Sequence, residues 1–142
     1  MTRDTYRIVK GMNEVNVLAA ELINDGYQHF ALKGDLGAGK TTFVQQAGAT
    51  LGLNDSMPSP TFTLLAIYSL PNTVLYHFDL YRLLSINEAL DAGLEEYWEQ
   101  PNAYIFIEWP EIIESELPDT YLKLYLEYQD AHTRHVTITY PA

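Results

Sequence analysis

Cysteine is absent from the 142 residues, which excludes disulfides and thiolate metal sites, and four scattered histidines offer no spacing for a structural zinc site. No apolar run approaches the ~20 residues needed to cross a bilayer, and the N-terminus lacks the apolar core of a signal peptide, so the expected location is the cytoplasm, with no membrane contact. Basic residues are scarce. Eight Lys and Arg stand against nineteen Asp and Glu, for a net charge of -11. Gripping a phosphate backbone requires clustered cations, so direct nucleic-acid binding is not expected. Between Arg82 and Lys123 there is no Lys or Arg at all, while acids recur from Glu88 to Asp119. That run reads either as a solvated face that keeps the protein soluble or as a docking surface for a basic partner. The length suits one domain over 1–142.

What is present is organised around Gly34-Asp35-Leu36-Gly37-Ala38-Gly39-Lys40-Thr41-Thr42, which matches the pattern of a phosphate-binding loop without a mismatch. Its three glycines permit backbone angles that turn successive amides inward around phosphate oxygens, at the positive end of the helix that follows. Lys40 supplies a charge for the β- and γ-phosphates, and the Thr41 hydroxyl is placed to ligate Mg²⁺. The context fits: Phe30-Ala31-Leu32 reads as a buried strand before the loop, and Thr42 to Leu51 as a helix after it, stopped by Gly52.

The rest of the chain supplies the sheet. Thr5 to Val9 is expected as an edge strand. Asn13 is expected to cap a helix with apolar positions Val15, Leu18, Ala19, Leu22 and Ile23, closed by Gly26. Asn54 to Pro60 is rich in turn residues and leads into a strand over 61–68. With the run Thr73 to Leu83 that strand forms an antiparallel hairpin around Pro71-Asn72. Ser85 and Glu88 form a capping box for a short helix ended by Gly93. Tyr104 to Ile107 is continuously apolar, as in a strand buried on both faces. Pro110 fits a helical first turn after Trp109, and Tyr121–Tyr128 with Thr133–Tyr140 reads as a closing hairpin.

A nucleoside triphosphatase also needs a carboxylate near its metal and a group that orients water. Glu108 follows the buried run Tyr104–Ile107 and so emerges at the carboxyl end of a central strand, the position of a Walker B acid. Asp79 lies among apolar and aromatic neighbours, where a carboxylate needs a partner. Thr61 fits a switch that senses the γ-phosphate, or a plain turn. Trp109 fits either a core position or an anchor for a partner.

Taken together, four segments resemble the TsaE family of small bacterial P-loop ATPases in tRNA threonylcarbamoyladenosine biosynthesis: 34–42, Ser-Pro-Thr-Phe-Thr-Leu at 59–64, His-Phe-Asp-Leu-Tyr-Arg-Leu at 77–83, and Ile-Glu-Trp-Pro-Glu at 107–111. The resemblance implies an α/β fold of the P-loop NTPase type in three layers, a mixed central sheet with parallel core strands and antiparallel hairpins, and helices on its faces. It implies ATP and Mg²⁺ as cofactors, slow hydrolysis alone, and two paralogous partners of the TsaB and TsaD type that modify adenosine 37 and hold the tRNA. It further implies functional roles for Lys40, Thr41, Asp79, Glu108 and Trp109, with Thr41 and Glu108 beside the metal, and a nucleotide close to Asn13, Glu14 and Arg134. Trp109 and Glu111 are then expected at the partner surface. Two rivals remain open, a small-molecule kinase and a nucleotide-dependent docking module without catalysis. A GTPase is disfavoured because the guanine-reading Asn-Lys-x-Asp pattern is missing.

Overall fold

The computed structural model describes residues 3–53, 57 and 64–141. Thr61, the turn-rich stretch 54–60 apart from Met57, and the first residues of the expected strand at 61–63 lie outside the described residues.

Among the described residues seven strands form one sheet: β1 (Arg3–Lys10), β2 (His29–Lys33), β3 (Leu65–Ser69), β4 (Val74–Asp79), β5 (Tyr104–Glu108), β6 (Leu122–Asp130) and β7 (Thr133–Tyr140), in the order β1-β7-β6-β2-β5-β4-β3. The central four, β6, β2, β5 and β4, run parallel, with Phe30 opposite both Phe106 and Leu122. Antiparallel hairpins flank them, β3–β4 on one side and β6–β7 on the other, and β1 closes the second edge by pairing with β7. The sheet is mixed, with parallel core strands, as expected.

Strands buried on both faces require two covering layers. Helices α1 (Gly11–Asn24) and α2 (Lys40–Thr50) cover one face, packing Leu18, Leu22, Phe43 and Val44 onto Phe30, Leu32, Phe106, Leu122 and Leu124. The Phe30 and Phe106 rings stack at 4.7 Å. On the opposite face Ala31, Phe78, Ile105 and Ile107 meet Ala89 of α3 (Ile86–Asp91), Trp98 of α4 (Glu95–Trp98) and Ile113 beyond a 3-10 turn at Pro110–Ile112. Trp98 is fully buried, and its carbonyl accepts a hydrogen bond from the Tyr121 hydroxyl at 2.7 Å. Among the described residues no helix is long and apolar enough to cross a membrane.

Several local expectations are corrected. Helix α1 begins at Gly11 with Lys10 as its cap, so Asn13 is an exposed first-turn residue and not the cap. The Glu14 carboxylate does the capping by accepting from the Lys10 amide at 2.9 Å. The capping box at Ser85 is half formed: Ser85 caps by backbone alone, and Glu88 reaches back to the Leu84 amide at 3.2 Å. The run Thr73–Leu83 yields a strand only to Asp79. The acidic run is not one face. Glu108 is 3% exposed, and Glu114 is neutralised by Lys33 and Lys123 at 2.7 and 3.1 Å.

Candidate functional site

The site is built where β2, β4 and β5 end. Strand β2 is buried to its last residues, and the chain leaves it through Gly34, at φ +147. A Cβ there would lie 2.4 Å from the Leu126 carbonyl oxygen on β6, so only glycine lets the loop turn this close to the sheet. Gly37 and Gly39 follow with φ +80 and +104, and Gly39 is the cap from which α2 starts. The loop therefore presents the backbone amides of a helix N-terminus, a setting that suits an anion.

Alternation along the strands brings the acids to the loop. Asp79 and Glu108 are the last residues of β4 and β5, directly opposite each other in the parallel register, on the face that carries α2. Glu108 is buried, and the Thr41 hydroxyl at the start of α2 donates to its two oxygens, at 2.8 Å to Oε1 and 3.0 Å to Oε2. His77, two residues before Asp79 and wholly buried, places Nε2 2.5 Å from Glu108 Oε2. Asp79 is half-buried and its Oδ1 accepts from the Tyr81 amide at 3.1 Å.

Lys40 is 5% exposed. Its ammonium donates to the carbonyls of Gly34 and, at 3.2 Å, of Asp35, and stands 3.6 Å from the centre of the Trp109 ring. Burial lowers its pKa below the ordinary lysine value, while the charges of Glu108, Glu111, Asp79 and Asp35 pull the other way. Trp109 adopts a left-handed backbone, φ 57 and ψ 57, a conformation costing roughly 1–3 kcal/mol in a bulky residue. Its amide donates to the Leu32 carbonyl at 3.2 Å, and its partly buried ring packs on Tyr81, 4.8 Å away, at the edge of the core.

From the other side, Arg134 on β7 braces the loop. Nε donates to the Ala38 carbonyl at 2.9 Å and Nη2 to that of Gly37 at 3.1 Å, while Nη1 is held by the carbonyls of Asp130 and Thr133. Its guanidinium stacks over Tyr128 at 4.7 Å.

A polar cleft of about 290 Å³ over the loop is lined by Asp35, Leu36, Gly37, Ala38, Gly39, Lys40, Thr41 and Thr42, and closed by Asp79, Glu108, Trp109 and Arg134. Nearly every residue singled out from the sequence is thus brought together. Asn13 is not among them. Glu111 is exposed just beyond, and Thr61 lies outside the described residues. A second, mostly apolar cleft of about 340 Å³ adjoins the first across Gly39, Thr42 and Arg134, with Met12, Val15 and His132 in its walls. The family resemblance set the start of α1 and Arg134 near the nucleotide, but residue patterns alone gave no sign of this cleft, because its walls come from α1 and from the β6–β7 turn. Sequence reasoning also missed His77, although alternation along β4 puts it on the same face as Asp79.

Among the described residues no group of three or more His, Cys, Asp or Glu is arranged around a metal. One hydroxyl and two neighbouring carboxylates are a hard oxygen set of the kind that suits Mg²⁺ when water and a phosphate complete the shell.

The family model for the threonylcarbamoyl adenosine biosynthesis protein TsaE matches residues 4–136. A tRNA threonylcarbamoyladenosine biosynthesis protein TsaE from Nostoc sp. is 41% identical over 128 residues, covering 88% of this chain and 77% of that one. Its counterpart from Treponema pallidum is 39% identical over 107 residues, covering 75% and 78%. The crystal structure of Bacillus subtilis YdiB superposes with a TM-score of 0.79 at 28% identity, covering 100% of this chain and 88% of that one. With this fold, this loop and a family match running from residue 4 to residue 136, the chain belongs to the TsaE family.

Proposed function

We propose that this protein binds ATP with Mg²⁺ on the loop from Gly34 to Thr42 and hydrolyses it slowly, as an accessory ATPase in forming threonylcarbamoyladenosine at position 37 of tRNA. The partners on which it acts are of the TsaB and TsaD type and carry the transfer chemistry, in the cytoplasm. The names of the relatives support the pathway. The observation that carries the ATPase reading is the pair of hydrogen bonds from Thr41 to Glu108, which joins the loop to the end of the central strand.

Each residue then has a task. Amides of the loop and of the first turn of α2 cradle the phosphates, and Lys40 exchanges its carbonyl contacts for β- and γ-phosphate oxygens. The apolar cleft receives the nucleoside between Met12, Val15 and Thr42. Thr41 and Glu108 hold Mg²⁺, which supplies neutralisation of the phosphate charge. Glu108 fixes the Thr41 hydroxyl, Asp79 orients the attacking water, and Thr61 senses the γ-phosphate.

Among the described residues the site lacks one element that fast phosphoryl transfer uses, a free cation over the γ-phosphate. Arg134, the arginine in the cleft, has each of its nitrogens engaged by a backbone carbonyl. A partner docking at Trp109 and Glu111 completes the site in this reading, and the net charge of -11 leaves tRNA to the partners. The test is the ATPase rate of the protein alone and mixed with the two partners, with Lys40→Ala as control. A low rate that rises with partners supports the reading. A high rate alone points to an independent ATPase, and a phosphorylated metabolite points to a kinase.

A further inference from the structure

His77 is fully buried, yet the proposed chemistry gives it no task. It stands opposite Phe106 in the register and diagonal to Glu108, on the face shared with Leu75 and Asp79. A buried imidazole is costly unless its nitrogens are used. Nε2 is used, at 2.5 Å from Glu108 Oε2, and Nδ1 has no partner among the described residues. A carboxylate oxygen accepts, so Nε2 is the nitrogen that donates to Glu108 and Nδ1 is the one left bare.

Glu108 is therefore held from two elements, by Thr41 from α2 and by His77 from β4. The Thr41 hydroxyl has a single proton. With that proton given to Glu108, its lone pairs are what remains to face a cation. If the carboxylate swung away, the hydroxyl would be free to rotate, and its lone pairs would lose their aim. We infer that His77 is a positioning residue: by fixing the Glu108 carboxylate it orients the Thr41 hydroxyl, and so sets how strongly Mg²⁺ tightens nucleotide binding. The inference rests on the nucleotide reading above.

The test measures binding of a fluorescent ADP analogue, with EDTA and across a Mg²⁺ titration, to the wild type, His77→Gln and His77→Asn. A glutamine amide nitrogen reaches close to the place of the imidazole Nε2, and an asparagine falls short of it. Without Mg²⁺ the three proteins bind alike. With Mg²⁺ the wild type and His77→Gln tighten together, and His77→Asn requires roughly 10- to 100-fold more Mg²⁺, the usual effect of losing a group that orients a metal ligand. Equal Mg²⁺ responses of the two variants, both intact or both lost, overturn the inference. A wild type that binds no ADP removes the nucleotide reading itself, a distinct result. Should the buried substitutions unfold the chain, long-range ¹H–¹⁵N correlation on the wild type decides. An Nε2–H tautomer whose shifts move when Mg²⁺ joins the ADP complex supports the positioning role, and an Nδ1–H tautomer or unmoved shifts refute it.

Discussion

Lys33 and Lys40 flank the same loop and are held in opposite ways. Lys33, the last residue of β2, lies 2.7 Å from one oxygen of Glu114 while Lys123 takes the other at 3.1 Å, and all three side chains are partly exposed. Burial pushes the Glu114 carboxyl up, but the two ammonium groups outweigh it and hold the pKa below the ordinary value. Lys40 is more deeply buried, and among the described residues it has no carboxylate at salt-bridge distance. Loop carbonyls and a tryptophan ring are its partners instead. The first cluster is complete and has nothing left to offer a ligand. The second keeps a desolvated cation for which a phosphate is a better partner than a carbonyl. Its surroundings also carry Asp35, Asp79, Glu108 and Glu111, all of which act on Lys40. In the proposed reading, phosphates entering that field would meet carboxylates as well as a lysine, which is the electrostatic case for a divalent cation beside them.

The largest expected effect sharpens this contrast. Lys40→Ala weakens ADP binding by roughly 10- to 150-fold, the factor given by a lost charge-assisted hydrogen bond of about 1.5–3 kcal/mol. Lys33→Ala leaves binding within about twofold, since a finished surface ion pair is worth about 1 kcal/mol or less and lies outside the cleft. Calorimetric titration measures both. Next, Glu108→Ala retains nucleotide binding in EDTA but loses turnover and raises the Mg²⁺ requirement by roughly 10- to 100-fold. A variant hydrolysing ATP at the wild-type rate would move the acid role to Asp79.

Smaller effects belong to the ion-pair cluster. Glu114→Gln lowers stability to urea by ~1 kcal/mol or less at pH 7, with ADP binding unchanged. Because the folded pKa of Glu114 is depressed, this contribution is present above the pKa of the unfolded chain and is lost as pH falls through the folded value. Wild type and variant therefore converge in acid. The smallest effect is on Lys40. Phosphate favours its charged form and burial lowers its pKa, so ADP affinity declines as pH rises towards the ordinary lysine value of 10.5, beginning below it. A pH series of ADP affinity checks this, with Lys33→Ala following the wild-type curve.

The loop, both acids and the central strands were legible because each is local in sequence: glycine spacing, a strand of apolar residues, and an acid at its carboxyl end. What was not legible depends on residues far apart in the chain. The apolar cleft joins Met12 to His132, and the bracing of the loop by Arg134 spans β7 to Ala38. The pairing of β1 with β7 joins the two ends of the chain, and no periodicity encodes a partner at that separation. The start of α1 was misplaced because Asn13 is a good capping residue, yet Glu14 satisfies the Lys10 amide three residues earlier than that cap would allow. His77 was overlooked for another reason. A histidine in an aromatic strand has the look of core packing until the register sets it diagonal to Glu108.

The central claim is that the loop around Lys40 is a nucleotide site whose affinity depends on a divalent cation, whereas the neighbouring lysine cluster is structural. The most direct measurement is calorimetric titration of ADP into the wild type, Lys40→Ala and Lys33→Ala, each with Mg²⁺ and with EDTA. The account predicts tight binding with Mg²⁺ for the wild type and Lys33→Ala, weaker binding for both in EDTA, and loss of affinity in Lys40→Ala under either condition. Equal affinity in all three proteins, or a wild type indifferent to Mg²⁺, would contradict it.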